Sequence, residues 1–470
     1  MAYLGSTPEY QSFTSGTDYF NGDGISVAFT LSRPVASVND IEVVISNVVQ
    51  QPSTAYTVSG TTITFTSAPP AGTSNVYARY MSTATQTITP SPGTVGTSQI
   101  SPSLTNVPFF GGSTIGAGNA TGMKNRIING GMVLDQYNAG ASVTISTGTF
   151  VVDRWNVYLS NTATMTGQGS TIAPRGFTNS LSVTVTSGAA TSSTAQSVLR
   201  QKIEGYNVAD FGWGTVNAKT VTLSFWVRSS LTGTFGVAFR NQAGNRAYIA
   251  AYTISSANTF EYKTIVVSGD TTGAWTTDNT TGLQILWDLG VGTTYSQAAG
   301  SWTSSSSISG LLGGVKLAET TGATFYVTGV QLEEGNAATS FEFRSYGTEL
   351  ALAQRYYYRI FPAAGNKLLL SAGSFFTGSV ASLSGNFPVS MRVAPSALEQ
   401  SGTAGNYLVN QAGFGGAICT SVPAFAASTV DAFQITGTST GALFTAGYPS
   451  TFYTSSPTGA NAFLGWSAEL

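Results

Sequence analysis

Short segments in which polar and apolar residues alternate recur along most of the chain, and they constrain the fold more than any other feature. The segments NSLSVTVTS, TVTLSFWVRSS and TFYVTGVQLEEG show this period of two. Such a period places successive side chains on opposite faces of a β-strand, and turn residues such as Gly, Asn and Ser bound the segments. The sequence therefore predicts an all-β protein with several β-sandwich or jelly-roll domains in series.

The composition indicates how such a chain covers its surface. Charged residues make up only 9% and aromatic residues 11%, whereas a typical soluble domain has about 25% charged residues. The aromatic content supports packed cores, and the scarcity of charge predicts a surface shared with other subunits. A stable oligomer is therefore expected; the alternative is a secreted all-β monomer. With a net charge of −2, the chain is not expected to bind nucleic acid.

The chain contains no histidine and one cysteine, Cys419. The absence of histidine excludes Ser–His and Cys–His catalysis and histidine-ligated metals. We expect no cofactor and no metal. Glycan cleavage by two carboxylates needs no histidine. The candidates for such a pair are Glu204, Asp210, Asp278 and Asp288, but their spread over separate strands and loops favours structural roles, and we expect a protein that is not an enzyme.

Breaks in the alternation divide the chain into five parts. The expected parts are an N-terminal β-sandwich attachment module (1–82), an extended Gly/Ser/Thr/Pro-rich connector (83–123), a jelly-roll domain (124–345), a connecting helix (346–358) and a β-rich tip (359–470). A hairpin is expected at Ser59-Gly60, and NRIINGGMVLDQ is expected to form the first jelly-roll strand, with a bend at Asn129-Gly130-Gly131. Thr348 is expected to cap the helix.

Two sets of motifs carry a resemblance to known families. The run FNGDGISVAFTLSRPVASVNDIEVVISNVVQQPSTAYTVSGTTITFTSAPPAGT resembles the N-terminal modules of bacteriophage tail-fibre and tail-needle-like proteins. The motifs NRIINGGMVLDQYNAGAS, DRW, LRQKIEG, LSFWVRSS, YVTGVQLEEGNAATSFEFR and YGTELALAQRYY resemble a domain of phage fibre and tail structural proteins that is similar to jelly-roll carbohydrate-binding modules. This second resemblance covers residues 124–358.

The resemblance implies a virion structural protein made in the host cytoplasm. It implies a tail fibre, most simply an intertwined homotrimer, whose N-terminal module binds other phage tail or baseplate proteins. Multivalent contacts with a host surface polysaccharide or protein would then attach the particle. Two alternatives remain open: a purely structural appendage or connector fibre without receptor binding, and a glycan depolymerase. No membrane insertion is expected, because no run of eighteen apolar residues occurs.

Candidate ligand-binding residues follow from strand parity in TVTLSFWVRSS. Leu223, Phe225 and Val227 are expected to face the core. Aromatic faces and hydrogen-bonding side chains suit a sugar. The candidate glycan-binding residues are therefore Trp226 and Arg228 on the opposite face, joined by Arg240, Tyr248 and Tyr252 from the next hairpin. The alternative is that Trp226 packs under another subunit and Arg228 pairs with a carboxylate.

Overall fold

The computed structural model describes residues 16–81, 123–360, 369–411, 413–440, 443–454 and 462–470. The expected connector (83–123) therefore lies outside the described residues, apart from its last residue. The chain divides into a unit ending at Asn106 and a unit beginning at Val107. Both units consist mainly of antiparallel β-strands, so the predicted all-β class is confirmed.

The N-terminal unit consists of two small sheets around one core. Its strands are β1 (Thr17–Gly22), β2 (Ala28–Val35), β3 (Ile41–Ile45), β4 (Val48–Val49), β5 (Tyr56–Phe65) and β6 (Gly72–Tyr80). The sheet orders are β1-β6-β3-β4 and β2-β5. Tyr56 is buried in the core, where its hydroxyl donates to the carbonyl oxygens of Val38 and Ile41 at 3.1 Å.

The hairpin predicted at Ser59-Gly60 is wrong. Both residues lie inside the single strand β5, which pairs with β2. Gly60 has a φ of +61° and pairs with Val35, beyond a break in the register after Thr30. A glycine inside a strand often marks such an irregularity, because it adopts a positive φ without steric cost.

Two facing antiparallel sheets form a sandwich in the second unit. Its strands are β7 (Val143–Thr144), β8 (Phe150–Val152), β9 (Trp155–Leu159), β10 (Thr164–Ser170), β11 (Ser180–Ser187), β12 (Ser197–Glu204), β13 (Val221–Ser229), β14 (Gly233–Arg240), β15 (Ala247–Ile254), β16 (Glu261–Val267), β17 (Thr281–Asp288), β18 (Ser296–Gln297), β19 (Trp302–Thr303), β20 (Gly310–Leu311) and β21 (Thr324–Glu334). The six-stranded sheet has the order β16-β13-β21-β11-β10-β7, and the seven-stranded sheet has the order β19-β15-β14-β17-β12-β9-β8. Strands β18 and β20 form a short parallel pair.

The sandwich core lies between these two sheets. Leu223, Phe225 and Val227 of β13 are fully buried in it, which confirms the predicted parity. Phe225 meets Trp287 of the opposite sheet edge to face, with ring centroids 5.5 Å apart. Burial of one such side chain stabilises a fold by about 1.5–3 kcal/mol. Burial of these alternating apolar side chains therefore holds the two sheets of the sandwich together.

The motif NRIINGG crosses the end of the sandwich and does not form the predicted first strand. Asn125 accepts a hydrogen bond from Leu332 N at 3.0 Å and donates to Val330 O at 3.0 Å. Asn129, with a φ of +56°, donates from Nδ2 to the carbonyl oxygens of Leu134 and Asp153 at 2.8 and 3.0 Å. Asn125 and Asn129 thus bind the main chain of other segments, and the motif forms no regular strand-to-strand hydrogen bonds.

The helix α1 covers Tyr346–Gln354, so it is shorter than the predicted 346–358. Its N-cap is Ser345, whose Oγ accepts from Thr348 N at 3.4 Å. The predicted cap Thr348 therefore lies inside the first turn. Tyr357 begins a β-strand instead of continuing the helix. Short 3-10 turns occur at Val38–Asp40, Gly205–Asn207, Ala209–Phe211, Thr293–Tyr295, Leu317–Glu319 and Ala404–Asn406.

The C-terminal part of the second unit is β-rich, as predicted. Its strands are β22 (Tyr357–Ile360), β23 (Leu369–Phe375), β24 (Val380–Asn386), β25 (Glu399–Gln400), β26 (Tyr407–Gln411), β27 (Gly415–Ile418), β28 (Ala424–Ser428), β29 (Ala432–Thr438), β30 (Pro449–Thr454) and β31 (Leu464–Ser467). They form sheets of the orders β22-β31-β25 and β27-β26-β30-β23-β24-β29-β28. The core of this part contains Tyr407, Phe433, Phe452 and Trp466.

Buried charges join the sandwich to this C-terminal part. Glu204 accepts hydrogen bonds from Arg355 at 2.6 and 3.0 Å and from the Tyr356 hydroxyl at 2.6 Å. Burial raises the pKa of Tyr356 to about 12, so its hydroxyl keeps the proton that it donates. Arg154 packs over the Tyr356 ring at 3.6 Å and pairs with Glu469. Since removal of one partner leaves a buried charge unpaired, this junction fixes the two parts against each other.

No helix in the described part of the chain has the length and apolar character needed to cross a lipid bilayer.

The two neighbouring glycines of the motif provide a matched test of its packing. A Cβ on Gly130 would lie 2.2 Å from Val330 O, whereas a Cβ on Gly131 would meet no atom closer than 3.9 Å. We expect Gly130→Ala to lower the free energy of unfolding by roughly 1–3 kcal/mol and Gly131→Ala to change it by less than about 1 kcal/mol. Urea denaturation measures both values, and equal effects of the two substitutions would contradict the described packing.

Candidate functional site

A cleft of about 370 Å³ opens at one end of the sandwich. The segments 208–215 and 273–277 form its sides, and Gly282 and Leu283 of β17 contribute to its lining. Its volume lies within the range of about 300–1,000 Å³ that is usual for small-molecule sites. The cleft combines aromatic rings with polar groups at its edge.

Three tryptophans form a cluster at this cleft. Trp213 and Trp275 line it, and their ring centroids lie 4.8 Å apart with the planes 79° to each other. Trp302 packs behind them at 5.2 Å from Trp213 and 5.6 Å from Trp275. Edge-to-face contacts of this kind hold rings in fixed orientations. The cluster therefore presents rigid aromatic surface to the cleft.

The indole N–H groups of the cluster are fixed by hydrogen bonds to the scaffold. Trp213 Nε1 donates to Lys219 O at 2.8 Å, and Trp302 Nε1 donates to Ser268 O at 2.8 Å. Trp275 Nε1 donates to Asp270 Oδ2 at 3.2 Å. The rings are thus held through their polar edges. Trp213 is only 8% exposed, and the half-buried Trp275 keeps part of its ring open to the cleft.

An ion pair supports the Trp275 side of the cleft. Asp270 accepts two hydrogen bonds from Arg246, at 2.6 and 2.8 Å. Burial tends to raise the pKa of Asp270, but the hydrogen bonds from Arg246 and Thr272 outweigh it, so the pKa lies below its ordinary value. The carboxylate therefore stays charged at neutral pH. A bidentate Arg–carboxylate pair is rigid, and it anchors the turn that carries Trp275.

The cleft has the chemistry of a site for a neutral sugar ring. Sugar C–H groups pack on aromatic faces, and sugar hydroxyls need donors and acceptors. The edge of the cleft supplies threonines at 215, 276 and 277 and main-chain groups of three glycines at 212, 214 and 273. Among the described residues, no charged side chain lines the cleft. The arrangement therefore favours an uncharged, hydroxyl-rich ligand.

The structure places the predicted residues Trp226 and Arg228 together on the outer face of the six-stranded sheet. Trp226 is half-buried and lies 5.3 Å from the ring of Tyr262. Arg228 lies 4.8 Å from the ring centroid of Tyr326 and donates from Nε to Asn258 O at 2.8 Å. Arg228 forms no ion pair with a described carboxylate. Glycan binding by this outer face stays a prediction.

The other three predicted residues do not lie on that face, which corrects the expectation of one shared surface. Arg240, Tyr248 and Tyr252 belong to β14 and β15 of the opposite sheet. Tyr252 is only 6% exposed and packs in the core at 5.2 Å from Phe225. Tyr248 lies 5.4 Å from Trp302, beside the tryptophan cluster. The hairpin β14–β15 pairs with β17 rather than β13, which carries these residues to the other layer.

Two of the four candidate acids are buried and engaged by other groups. Glu204 binds Arg355 and Tyr356 at the junction with the C-terminal part. Asp288 is 1% exposed, and burial raises its pKa to about 6. Its oxygens accept from three backbone amides at 2.9–3.0 Å and from Lys316 Nζ at 3.4 Å. These contacts explain both carboxylates as structural groups.

The other two candidate acids lie nearer the surface. Asp210 pairs with Arg126 at 2.6 Å. Asp278 accepts from the backbone amide and hydroxyl of Thr280 at 2.8 and 2.5 Å, and these bonds lower its pKa. Among the described residues, no three side chains of the metal-binding types are grouped as a metal site would require.

Another cavity, of about 190 Å³, lies beside the NRIINGG motif. Its lining includes Phe177, Phe341 and Phe343, which pack on one another at 4.8–5.4 Å. The charged residue Arg344 in the lining is engaged with Glu342 and Glu349. This cavity therefore offers mainly apolar surface and few free polar groups for a sugar.

The cleft tryptophans were not among the residues predicted from strand parity. They occur in the stretches FGWGTVN, GAWTTD and GSWTSS, where Gly, Ser and Thr replace the alternating pattern. A tryptophan inside a turn-rich stretch is a usable signal, because loops on a rigid scaffold commonly carry binding residues. Their grouping depends on the strand order, which the sequence pattern does not fix.

Comparison with models of protein families gives no match, and comparison with curated proteins gives none. Solved structures do match part of the chain. One is the enzymatically active domain of bacteriophage CBA120 tailspike protein 4, at 16% identity and a TM-score of 0.25, over 45% of this chain and 21% of that one. The chain thus spans about a fifth of that protein.

Carbohydrate-binding modules also match. A family 4 module matches at 15% identity and a TM-score of 0.22, over 44% of this chain and 98% of that one. A family 11 module from Clostridium thermocellum, solved with a β-1,3-1,4-mixed-linked tetrasaccharide, matches at 12% identity and a TM-score of 0.22, over 42% of this chain and 96% of that one. With TM-scores below 0.5, these likenesses carry no argument.

Substitution of Trp275 tests the cleft against the outer face. We expect Trp275→Ala to weaken binding of a polysaccharide that the unmodified chain retains by roughly tenfold, because one stacking surface is lost. Trp226→Ala should leave that affinity within about twofold. Affinity electrophoresis with both variants measures the effect. Loss with Trp226→Ala and retention with Trp275→Ala would place the site on the outer face instead.

Proposed function

We propose that this protein is a phage virion structural protein, a tail fibre that attaches the particle to a host surface glycan. The observation that carries the binding role is the rigid tryptophan cleft, in which Trp213 and Trp275 stand beside hydroxyl and main-chain groups. Each cleft offers a modest contact, and several copies on one particle gain avidity by binding together. Another host receptor, such as a protein, is a variant of the same proposal.

The placement on a virion is supported by the motif resemblance and by the composition. The resemblance to tail-fibre modules implies an N-terminal part that binds other phage tail or baseplate proteins. The low charge of 9% fits a chain that shares surface with copies of itself. A homotrimer, synthesised in the host cytoplasm, is the proposed assembly. A fibre without receptor binding remains the alternative in the same class.

Binding without cleavage is the proposed activity. The acids Glu204 and Asp288 are buried and engaged by other groups, and carboxylates that cleave a glycan must reach the glycosidic bond. A depolymerase that uses a carboxylate pair is the less favoured candidate, and it predicts product release where the fibre predicts retention alone.

A panel of purified bacterial surface polysaccharides distinguishes these functions. We expect the full chain to be retained by at least one polysaccharide and to release no new reducing ends from it during a long incubation. Release of reducing ends that persists in Trp275→Ala would support a depolymerase. Retention by no polysaccharide of a phage-sensitive strain would support the purely structural fibre.

The proposed assembly predicts a defined mass in solution. Gel filtration coupled to light scattering should give about three times the chain mass of 48.6 kDa. The value should not fall with dilution in the micromolar range, because an intertwined trimer buries much surface. A constant mass of one chain would contradict the fibre.

A further inference from the structure

Three basic residues stand together on the outer face of the seven-stranded sheet. Arg200 and Lys202 lie two positions apart on β12, and Arg240 ends β14. In the register of the sheet, Lys202 pairs with Gln284 and Gln284 pairs with Arg240, so these three form a row across neighbouring strands. Residues two apart on a strand share a face, which brings Arg200 to the same side.

The packing identifies this face as the one turned away from the sandwich core. Val198 and Ala238, which share the parity of Arg200 and Arg240, belong to a small separate cluster under the 289–314 segment. Their neighbours Leu199 and Val237 belong to the sandwich core instead. Arg200 and Lys202 are half-buried, so both keep part of their side chains in contact with solvent.

The carboxylates on this face are already engaged elsewhere. Glu204 binds Arg355, and Asp288 binds Lys316 and three backbone amides. Within the described residues, none of the three basic groups forms an ion pair with a carboxylate side chain. Lys202 Nζ donates to the main-chain oxygen of Leu470 at 2.7 Å. The charges of Arg200 and Arg240 are therefore not neutralised by the described acidic side chains.

The lack of an ion pair is unusual for Arg240, because this residue is only 9% exposed. Its Nη2 donates to Gln284 Oε1 at 3.2 Å, and its Nε is buried without a hydrogen-bond partner in the described part of the chain. Burial and then the nearby charge of Arg200 lower the pKa of Arg240 to about 10. A buried guanidinium with a free N–H and a like charge beside it is costly for folding unless an anion completes it.

The surroundings of Arg200 add the features of a sugar site. Its guanidinium carbon lies 5.3 Å from the ring centroid of Tyr158, and its Nε donates to Asn156 Oδ1 at 2.9 Å. A half-buried tyrosine ring offers a surface for sugar C–H groups. The amides of Asn156 and Gln284 are buried and hold Arg200 and Arg240 in place. A guanidinium is matched in shape to a carboxylate.

We propose that Arg200, Lys202 and Arg240 form a second site on this face that binds the carboxylate of an acidic sugar residue. The site is separate from the tryptophan cleft, which suits a neutral ring. It deepens the proposed function by naming a glycan that carries uronic-acid-type residues. It rests on the proposed function only in taking that glycan to be one of the host surface. One acidic residue at the basic face and a neutral residue at the cleft give two anchoring points.

The test is isothermal titration calorimetry of the full chain with trigalacturonate, neutral galactotriose and acetate. Arg200→Gln/Arg240→Gln removes both charges and keeps amide donors in their place, and Arg175→Gln removes an exposed arginine elsewhere on the sandwich as the control. We expect the double substitution to weaken trigalacturonate binding by roughly tenfold or more, and Arg175→Gln to leave it unchanged. Added salt should weaken trigalacturonate binding and leave galactotriose binding unaffected.

The thermal midpoint separates a binding role from a structural one. Removal of two like charges should leave the midpoint unchanged or raise it, whereas arginines that only support the fold would lower it. The single variant Arg200→Gln, at the half-buried position, gives the same reading if the double variant does not fold. Undiminished trigalacturonate binding in these variants overturns the proposal, as does binding no tighter than that of acetate.

Trp275→Ala separates this proposal from the proposed function. Trigalacturonate binding that survives Trp275→Ala but not the arginine substitutions supports the basic face even where no neutral sugar binds the cleft. Loss of trigalacturonate binding in Trp275→Ala alone assigns the acidic sugar to the cleft and overturns the second site.

Discussion

The hydrogen bonds of Asn129 are the interaction on which the arrangement of the second unit depends. Its side chain binds the main chain of Leu134 and Asp153, and its carbonyl oxygen accepts from Trp155 Nε1 at 3.1 Å. Its backbone amide donates to Glu349 of the helix. One residue with a positive φ thus connects the entry segment, the start of β9 and helix α1. Buried amide networks of this kind are specific, because each unsatisfied group would be costly.

Buried ion pairs are a second feature that orients the parts of this unit. The chain has 19 basic and 21 acidic residues, and several of them are buried at the junction between sandwich and C-terminal part. Two ion pairs at this junction, Glu204 with Arg355 and Arg154 with Glu469, replace contacts with water. Such pairs specify orientation more than they add stability. The result is a second unit in which the sandwich and the C-terminal sheets hold a fixed relation.

The proposed sites lie on that scaffold and share its rigidity. The tryptophans of the cleft are fixed through their indole N–H groups, and Arg246 with Asp270 holds the turn of Trp275. A site that is ordered before binding avoids the entropic cost of ordering loops. In the proposed fibre, weak single-site affinity repeated over a particle would suffice for attachment.

The sequence predicted those features that depend on local periodicity. The parity of Leu223, Phe225 and Val227 follows directly from alternation. The hairpin at Ser59-Gly60 failed because a glycine serves equally in a turn or in a strand irregularity. The grouping of Trp213, Trp275 and Trp302, and the separation of Arg240 from Trp226, depend on which strands become neighbours. Strand order arises from long-range packing, and the periodicity of a sequence does not predict it.

Binding in a preformed tryptophan cleft can be tested by a crystal structure of the full chain with a bound neutral oligosaccharide. We expect a sugar ring packed on Trp213 and Trp275 between the segments 208–215 and 273–277, with the indoles unmoved. A sugar bound over Trp226 and Tyr262, with the cleft empty, would contradict it.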